Sequence, residues 1–309
     1  MGVVGSNYRI FSPEIWSAFL KIYFKNKLYA AKFFLDFSSD LKGGGDMITI
    51  PNLTEGPAPI NLTTTTGALT DFVVSETRTQ LTLDTWKGAS KVFSDFEAAR
   101  IASHYNLQEM ELRDNIAYKL AQVLDTGLIG QTGGSLSINL HTGTSAVQVN
   151  NTAIQEAIRI AASYSLDRSG LAFFYHPNAF WGELMRRHQI VDASQFGKPT
   201  LGAGGGAMGG EFNPVAYLYG IPLYETPQVG TCQGVGGDGY PSTSHRNLLI
   251  HKRAIVYALA NIDGMGVGPR LQTTSMLPGG NLAMRVVGDI AYGIKLIGAN
   301  EAVRIISDT

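Results

Sequence analysis

Apolar side chains recur at helical spacing through residues 94–130, and neither glycine nor proline interrupts this stretch before Gly127. Ser94 is followed three residues later by Glu97, which makes a capping box that satisfies two amide groups at a helix start. The pattern predicts one helix of about thirty residues, which would span about 45 Å. This exceeds the usual globular length, so we expect the helix to be a spine on which other parts of the chain pack.

Alternating apolar and polar residues predict strands on both sides of a polar excursion in residues 46–93. A short β-rich run is stopped by Pro51, and alternation resumes over residues 69–86. Between them lie Pro57, Pro59 and a threonine tract, which suit neither a helix nor a core. We therefore predict two strands joined by a long exposed loop. Such a hairpin has little core of its own and needs another surface to lie on.

Residues 1–45 contain more lysine and arginine than acid, and Ser12 and Pro13 are suited to start a helix. We consider three interpretations: an amphipathic helix packed on its own domain, an arm that docks on a neighbouring subunit, or a basic helix at a membrane surface. Repeated lysines exclude a membrane-spanning helix here. The expected apolar stripe comprises Trp16, Phe19, Tyr23, Phe24, Leu28, Ala31 and Leu35.

Further helices and strands are predicted after the spine. Asn151 or Thr152 caps a second helix that is expected to end at Gly170, and Pro177 begins a third. Apolar runs predict strands at residues 171–176, 215–227 (a pair turning near Gly220), 247–260 and 270–309. The order of elements predicts a mixed fold of helices and strands.

The composition is that of an ordinary globular protein, with 44% hydrophobic and 16% charged residues in 309. The net charge of -1 does not suggest a nucleic-acid binder. A single cysteine, Cys232, excludes an internal disulfide framework and a zinc site made of cysteine alone. It fits a reducing compartment.

The sequence contains no convincing pattern for catalysis or for binding a cofactor. Residues 234–239 match G-x-G-x-x-G, but Tyr240 and Pro241 follow where a nucleotide-binding helix would begin. The six histidines show neither i, i+4 pairing nor HExxH, and no G-x-S-x-G motif occurs. Charged residues on the spine are better interpreted as a solvated or inter-subunit face. We predict no catalytic residue, no metal, no cofactor and no enzymatic activity.

The order of these parts resembles that of the major capsid proteins of tailed double-stranded DNA bacteriophages, which have the Hong Kong 97-type fold. The resemblance covers nearly the whole chain and rests on pattern and order. The segments that carry it are LTLDTWKGASKVFSDFEAARI (81–101), LAQVLDTGLIGQTGG (120–134), FFYHPNAFWGELMRR (173–187), YLYGIPLYETPQV (217–229) and GDIAYGIKLIGANEAVRII (288–306).

The resemblance implies an α+β fold with four parts. These are an N-terminal arm (1–45), an extended β-hairpin loop (46–93), a peripheral domain with the spine helix (94–139 and 263–309) and an axial domain (140–262). The glycine-rich stretches 202–210 and 230–239 would then fall in the axial domain, where flexible loops can adapt to five-fold and six-fold axes.

The resemblance also implies a function. The chain would be a structural protein that self-assembles as hexamers and pentamers into an icosahedral shell, the phage head, around double-stranded DNA. Implied partners are further copies of the chain, a separate scaffolding protein, a portal protein and DNA bound without sequence specificity, while a decoration protein is left open. The expected location is the virion capsid, assembled in the host cytoplasm without a membrane.

Residues on the arm, the loop and the spine are expected to contact neighbouring subunits. Two alternative functions stay open: an encapsulin-like compartment shell and, more remotely, a β-rich hydrolase or glycan-binding module. The absence of a catalytic constellation and of aromatic-lined repeats counts against the last. The predicted inter-subunit contacts are Trp16, Phe19, Lys21, Lys25, Pro57, Pro59, Lys87, Arg100, Glu109 and Arg113.

Overall fold

The structure is a computed structural model in which the described part of the chain forms a five-stranded sheet, a six-stranded sheet, a two-stranded hairpin and one long helix. The described residues are 28–41, 45–53, 76–94, 105–130, 141–142, 151–179, 214, 216–232, 244–260, 270–276 and 282–307.

The helices and strands have the following bounds. The helices are α1 (Ala30–Phe33), α2 (Tyr105–Ile129), α3 (Asn151–Ser163) and α4 (Pro177–Ala179). The strands are β1 (Leu35–Asp36), β2 (Met47–Leu53), β3 (Glu76–Thr82), β4 (Thr85–Ser94), β5 (His141–Thr142), β6 (Leu171–Tyr175), β7 (Ala216–Leu218), β8 (Ile221–Glu225), β9 (His245–His251), β10 (Ile255–Leu259), β11 (Arg270–Met276), β12 (Leu282–Leu296) and β13 (Ala302–Ser307).

The predicted spine helix is confirmed as α2 from Tyr105 to Ile129. Gly130 follows it and donates its amide hydrogen to the carbonyl of Thr126 at 2.6 Å. Ser94 is the last residue of β4, and the rest of the predicted capping box lies outside the described residues. The buried face of α2 repeats every four residues, as helical geometry requires. Its members are Ile116, Leu120, Leu124 and Leu128.

The five-stranded sheet is built around the long strand β12. Along one edge of β12 runs β4, antiparallel, from the pair Ala283–Ser94 to the pair Tyr292–Thr85. Along the other edge run β11 and then β10, and Tyr292 pairs with Leu259 of β10. Because Tyr292 has a partner on each side, β12 is central, and β1 completes the sheet parallel to β10.

The six-stranded sheet has the order β5-β13-β9-β6-β8-β7. Its strand β6 is buried along its whole length because both faces are covered. Phe173 and Tyr175 face the cluster that contains the buried side of α3, whereas Ala172 and Phe174 face the cluster that contains the spine. The prediction of a buried strand at residues 171–176 is confirmed.

One large hydrophobic cluster joins the two sheets through the spine. It brings the buried stripe of α2 together with Phe174 and Leu248 of the six-stranded sheet and with Ile290 and Tyr257 of the five-stranded sheet. Alternate residues of β10 point the other way, so that Val256 and Ala258 belong to a smaller cluster on the outer face. The spine therefore packs against both sheets.

Three predicted strand assignments differ from the structure. The run at residues 247–260 is two strands in different sheets, since the chain turns between β9 and β10. Strand β4, within the predicted loop range 46–93, pairs with β12 instead of extending the hairpin. Strand β13, within the range 263–309 expected in the peripheral domain, pairs with β9 in the six-stranded sheet. Strands β9, β10 and β13 are largely buried on both faces and so show no local pattern that identifies their neighbours.

Left-handed backbone conformations mark two turns. Helix α3 ends at Ser163, before the predicted Gly170, because Ser165 has a φ of 56° and cannot continue the helix. The predicted strand pair at residues 215–227 is confirmed as β7 and β8. Their two-residue turn uses Tyr219 and Gly220 with φ of 52° and 81°, the signs that a tight hairpin turn requires.

The end of the predicted arm is part of the folded core. The helix expected to continue through Leu35 stops at Phe33, and Leu35 begins a strand in which it is exposed, so its place in the buried stripe was wrong. The chain leaves the helix because β1 pairs with β10 and Phe37 donates its amide hydrogen to Tyr257 O at 2.9 Å. The stripe residues before Leu28 lie outside the described part of the chain.

The hairpin of β2 and β3 confirms that strands flank the polar excursion, and its pairing runs from Met47–Thr82 to Leu53–Glu76. Its base is not free of the sheets. Leu81 is buried with Val256 and Ala258 on the outer face of the five-stranded sheet, and Leu41 from the end of the arm joins the same cluster. The arm end and the hairpin base are therefore fixed to one surface.

Replacing Gly293 by alanine is expected to lower the free energy of unfolding by about 1–3 kcal/mol, as overpacking does. A Cβ at this position in β12 would lie 2.0 Å from the backbone carbonyl oxygen of Thr82, which cannot rotate away. The matched control is Gly88→Ala on the neighbouring strand β4, where the Cβ would meet Gly288 O at 3.4 Å. Urea unfolding of both variants checks this, and equal stabilities would contradict it.

Candidate assembly surfaces

A carboxylate on the spine holds the end of the arm. Asp125 Oδ1 accepts hydrogen bonds from the amide groups of Ala30 at 2.8 Å and Ala31 at 3.3 Å, which are free donors at the start of the short helix α1. Tyr257 donates its hydroxyl hydrogen to Ala31 O at 2.7 Å from the other side. Further along, Leu259 N donates to Ser38 Oγ at 2.9 Å. The described end of the arm is therefore held at a defined point on the spine and β10.

The Asp125 carboxyl group is buried, and this changes its acidity. Burial raises the pKa of Asp125 from 3.8 to about 6, although the amide hydrogen bonds from Ala30, Ala31 and Tyr29 act in the opposite direction. Burial, followed by the nearby carboxylates of Asp36 and Asp125, also raises the pKa of Tyr257 to about 12. The second oxygen of Asp125 is buried without a hydrogen-bond partner, which adds to the cost of burying the charged form.

Aromatic side chains reinforce the same anchor. The ring of Phe33 lies 5.4 Å from that of Phe174 in an edge-on arrangement, and the ring of Tyr29 lies 5.1 Å from that of Tyr224. Phe174 and Tyr224 are themselves stacked at 5.4 Å. Aromatic pairs at these distances add about 0.5–1.5 kcal/mol each beyond the area they bury. The arm end is therefore joined to the six-stranded sheet by packing and to the spine by hydrogen bonds.

The outer face of the five-stranded sheet exposes an apolar surface on β4. Residues opposite one another in an antiparallel pair share a face, so Trp86, which pairs with Ala291, points away from the spine. Trp86 is 71% exposed and Val92, three pleats along the same face, is 40% exposed. Trp86 Nε1 donates to the buried carboxylate of Asp289 at 3.1 Å, which ties the indole to strand β12. We call this surface the Trp86 face.

Among the predicted inter-subunit contacts, the side chain of one, Lys87, is described. It is exposed on β4 and pairs with Ile290, so it points to the opposite side from Trp86. Glu109 and Arg113 lie on α2, in the part whose side chains are not described. The remaining residues lie outside the described part of the chain: Trp16, Phe19, Lys21, Lys25, Pro57, Pro59 and Arg100.

Histidines at the end of the six-stranded sheet form a structural pair. The rings of His176 and His245 stack at 3.7 Å with an angle of 11°. Burial, followed by the neighbouring His245, lowers the pKa of His176 to about 4, and burial also lowers the pKa of His245. The His176 amide donates to Asn247 Oδ1 at 2.9 Å. Both rings are therefore neutral near pH 7 and pack as flat side chains.

Two kinds of feature are absent from the described residues. No group of three or more histidine, cysteine, aspartate or glutamate side chains there is arranged to hold a metal ion. No helix in that part is long and apolar enough to cross a membrane. Cys232 carries a buried thiol.

Sequence reasoning missed Asp125 and Trp86. Asp125 lies between Leu124 and Leu128 near the end of the predicted spine, so an acid beside the apolar stripe was a readable signal of a buried partner. Trp86 stood at the end of a predicted strand, but its face could not be assigned without knowing that β4 joins β12.

Replacing Asp125 by asparagine is expected to remove a pH dependence of stability. On folding, the pKa of this carboxyl group rises from near 4 to about 6. Its contribution to stability is therefore fully present below about pH 4 and is lost as the pH rises through about 6. The unfolding free energy of the wild type minus that of Asp125→Asn should therefore fall between pH 4 and 7, by up to about 3 kcal/mol. Urea titrations of the unassembled chain measure it.

Asp167→Asn is the matched control for Asp125→Asn. Asp167 is exposed, and the hydrogen bonds from Ser169 lower its pKa, so its contribution is present above the unfolded pKa and is lost as pH falls. The two variants should therefore change the pH profile in opposite directions. A flat difference between wild type and Asp125→Asn would contradict the proposed burial of an acid at the arm anchor.

No protein-family model matches the chain, and no curated protein matches it in sequence. Solved structures do match it over nearly its full length. The structure of Mycobacterium phage Che8 has 14% sequence identity and a TM-score of 0.68, covering 96% of this chain and 97% of that one. The capsid of cyanophage P-SCSP1u has 13% identity and a TM-score of 0.66, covering 98% and 94%.

The capsid of cyanophage Pam1 matches with 14% identity and a TM-score of 0.65, and the match covers 100% of both chains. At such identities the likeness concerns the fold. It extends across the spine, both sheets and the hairpin, since no large part of either chain is left out. The chain has the fold of phage capsid proteins, as its resemblance in sequence predicted.

Proposed function

We propose that this chain is the major capsid protein of a tailed double-stranded DNA bacteriophage and that it assembles as hexamers and pentamers into an icosahedral head. The observation that carries the proposal is the match to the Pam1 capsid over 100% of both chains. A fold shared over the full length of both chains supports a structural role for this chain.

The Hong Kong 97-type architecture assigns a part to each described element. The arm ends at α1 and β1, and the hairpin of β2 and β3 is the extended loop. The five-stranded sheet with the spine α2 forms the peripheral domain, and the six-stranded sheet with α3 forms the axial domain. In this division β4 belongs to the peripheral domain instead of the loop, and β13 belongs to the axial domain, because each strand is assigned to the sheet in which it pairs.

The exposed surfaces support assembly on physical grounds. The hairpin has two strands and gains its core at the base from the sheet beneath it, so its outer part needs a neighbour. The Trp86 face exposes the apolar side chains of Trp86 and Val92, which a monomer would leave in water. Closed symmetric assembly covers such surfaces on every copy at once.

Partners follow from the proposed role. A separate scaffolding protein would guide assembly, a portal protein would occupy one vertex, and DNA would fill the head without sequence-specific contacts. The net charge of -1 supports dense packing of many copies, because self-repulsion between subunits is small. The mature location is the virion capsid, with assembly in the host cytoplasm.

Expression of the full chain, with and without a scaffolding protein encoded next to it, tests the proposal by negative-stain electron microscopy. We expect closed particles of uniform size with five-fold vertices. A chain that stays monomeric at high concentration under both conditions would refute the shell function. Closed particles that consistently enclose a specific protein cargo would instead support an encapsulin-like compartment.

Replacing Trp86 by glutamine is expected to lower the yield of closed particles severalfold, because the Trp86 face loses its largest apolar side chain. Glutamine keeps a donor for Asp289, so the free energy of unfolding should change by less than about 1 kcal/mol. Particle yield by sedimentation and stability by urea unfolding are measured on the same preparation. Normal yield from Trp86→Gln would exclude this face from assembly.

Lys87→Gln in the same assay tests the predicted contact at Lys87. Since Lys87 and Trp86 lie on opposite sides of β4, the two variants report on different faces of the sheet. If only Lys87→Gln loses particles, the inter-subunit contact lies on the side of the sheet that carries Lys87 and not on the Trp86 face.

A further inference from the structure

Strand β4 is the longest strand with a single partner in the described part of the chain. Its ten residues, Thr85–Ser94, pair with β12 along one edge, and no described strand lies along the other. In antiparallel pairing, alternate residues direct their amide and carbonyl groups to opposite edges. Every second residue of β4 therefore directs these groups away from the sheet. We call this free side of the strand the β4 edge.

The main chain along this edge is open to water. Gly88, in the middle of β4, is exposed although it has no side chain, so its exposed surface belongs to the main chain. The ten pairs with β12 keep one register, so no bulge interrupts the strand. By contrast, β11 shifts its register with β12 between Thr274 and Met276. A long, regular and uncovered edge is a template for one more strand.

The side chains along this edge differ between the two faces of the sheet. Trp86 and Val92 are exposed on the outer face. Lys87 and Lys91 are exposed on the opposite face, on either side of Ala89, which packs against the hydrophobic cluster of the spine. Neither lysine forms an ion pair with a residue in the described part of the chain. The β4 edge is therefore cationic on one face and apolar on the other.

We propose that the β4 edge binds an extended acidic segment of another protein by strand addition. The added strand would exchange main-chain hydrogen bonds with β4. On the face of the spine, two of its carboxylates, four positions apart, would lie beside Lys87 and Lys91. Opposite charges on neighbouring strands stabilise a sheet. On the other face, its apolar side chains would lie beside Trp86 and Val92 and extend the Trp86 face.

The same charges disfavour a second copy of β4 as the occupant. If two copies paired antiparallel about Ala89, Lys87 of each copy would lie opposite Lys91 of the other. Like charges directly opposite one another destabilise a pair of strands. Lysine on an edge strand is also a common means of preventing two identical sheets from joining edge to edge. The two lysines therefore select an acidic strand over self-pairing.

The β4 edge belongs to the single chain, so binding is tested on the unassembled full-length protein and does not depend on the proposed shell. The acidic probe is the peptide Thr-Val-Glu-Val-Thr-Val-Glu-Val-Thr with blocked termini, and the basic probe has lysine in place of both glutamates. Fluorescence anisotropy measures both affinities. We expect the acidic probe to bind about tenfold more tightly, because two attractive charge pairs become repulsive in the basic one.

Charge reversal locates the binding site. The double variant Lys87→Glu and Lys91→Glu should reverse the preference, so that the basic probe binds more tightly than the acidic one. The matched control is Lys252→Glu with Arg253→Glu, which reverses two exposed charges on the turn between β9 and β10. This control should keep the preference of the wild type. Urea unfolding shows that both double variants are folded.

Hydrogen exchange separates strand addition from contact with side chains alone. With the acidic probe in excess, exchange of the amides in residues 85–94 should slow severalfold, because an added strand accepts hydrogen bonds from the β4 edge. Residues 171–175 of β6, which has a strand on each side, serve as the reference and should not change. Equal affinity for the two probes, an unchanged preference in the Lys87 and Lys91 variant, or binding without protection of β4 would overturn the proposal.

Discussion

The stripe of Ile116, Leu120, Leu124 and Leu128 along the spine is the contact on which the rest of the fold depends. Both sheets place buried residues against it, and the arm end closes over its last turns. Each fully buried side chain of this size contributes about 1.5–3 kcal/mol relative to exposure. Because the stripe is shared, one helix sets the orientation of the two sheets.

The same arrangement explains why polar groups are found inside. Asp125 interrupts the apolar end of the spine because the short helix of the arm needs an acceptor for its free amide groups. A carboxyl group there costs desolvation, which appears as a raised pKa. The buried acid therefore joins two segments that lie 94 or 95 residues apart in sequence. Burial of apolar side chains alone would not specify which residues of the two segments meet.

The local sequence pattern predicted the helices and strands better than it predicted which strands pair. The period of the spine, the doubly buried strand LAFFY and the tight turn at Tyr219–Gly220 were readable, because each follows from nearby residues. The partners of β9, β10 and β13 were not, since a run buried on both faces looks the same in either sheet. The partner of β4, and with it the Trp86 face, was out of reach because this strand pairs with residues about two hundred positions later in the sequence.

The position of β13 has a consequence for how the subunit is made. This strand lies between β5 and β9, inside the six-stranded sheet, yet it is synthesised after every other strand described here. On the ribosome, the edge of β9 and the two residues of β5 must wait for residues 302–307 before they are covered. The six-stranded sheet is thus completed late in folding, through contacts distant in sequence. Until then, nascent chains expose an open sheet edge. The six-stranded sheet is therefore complete only once translation has passed this strand.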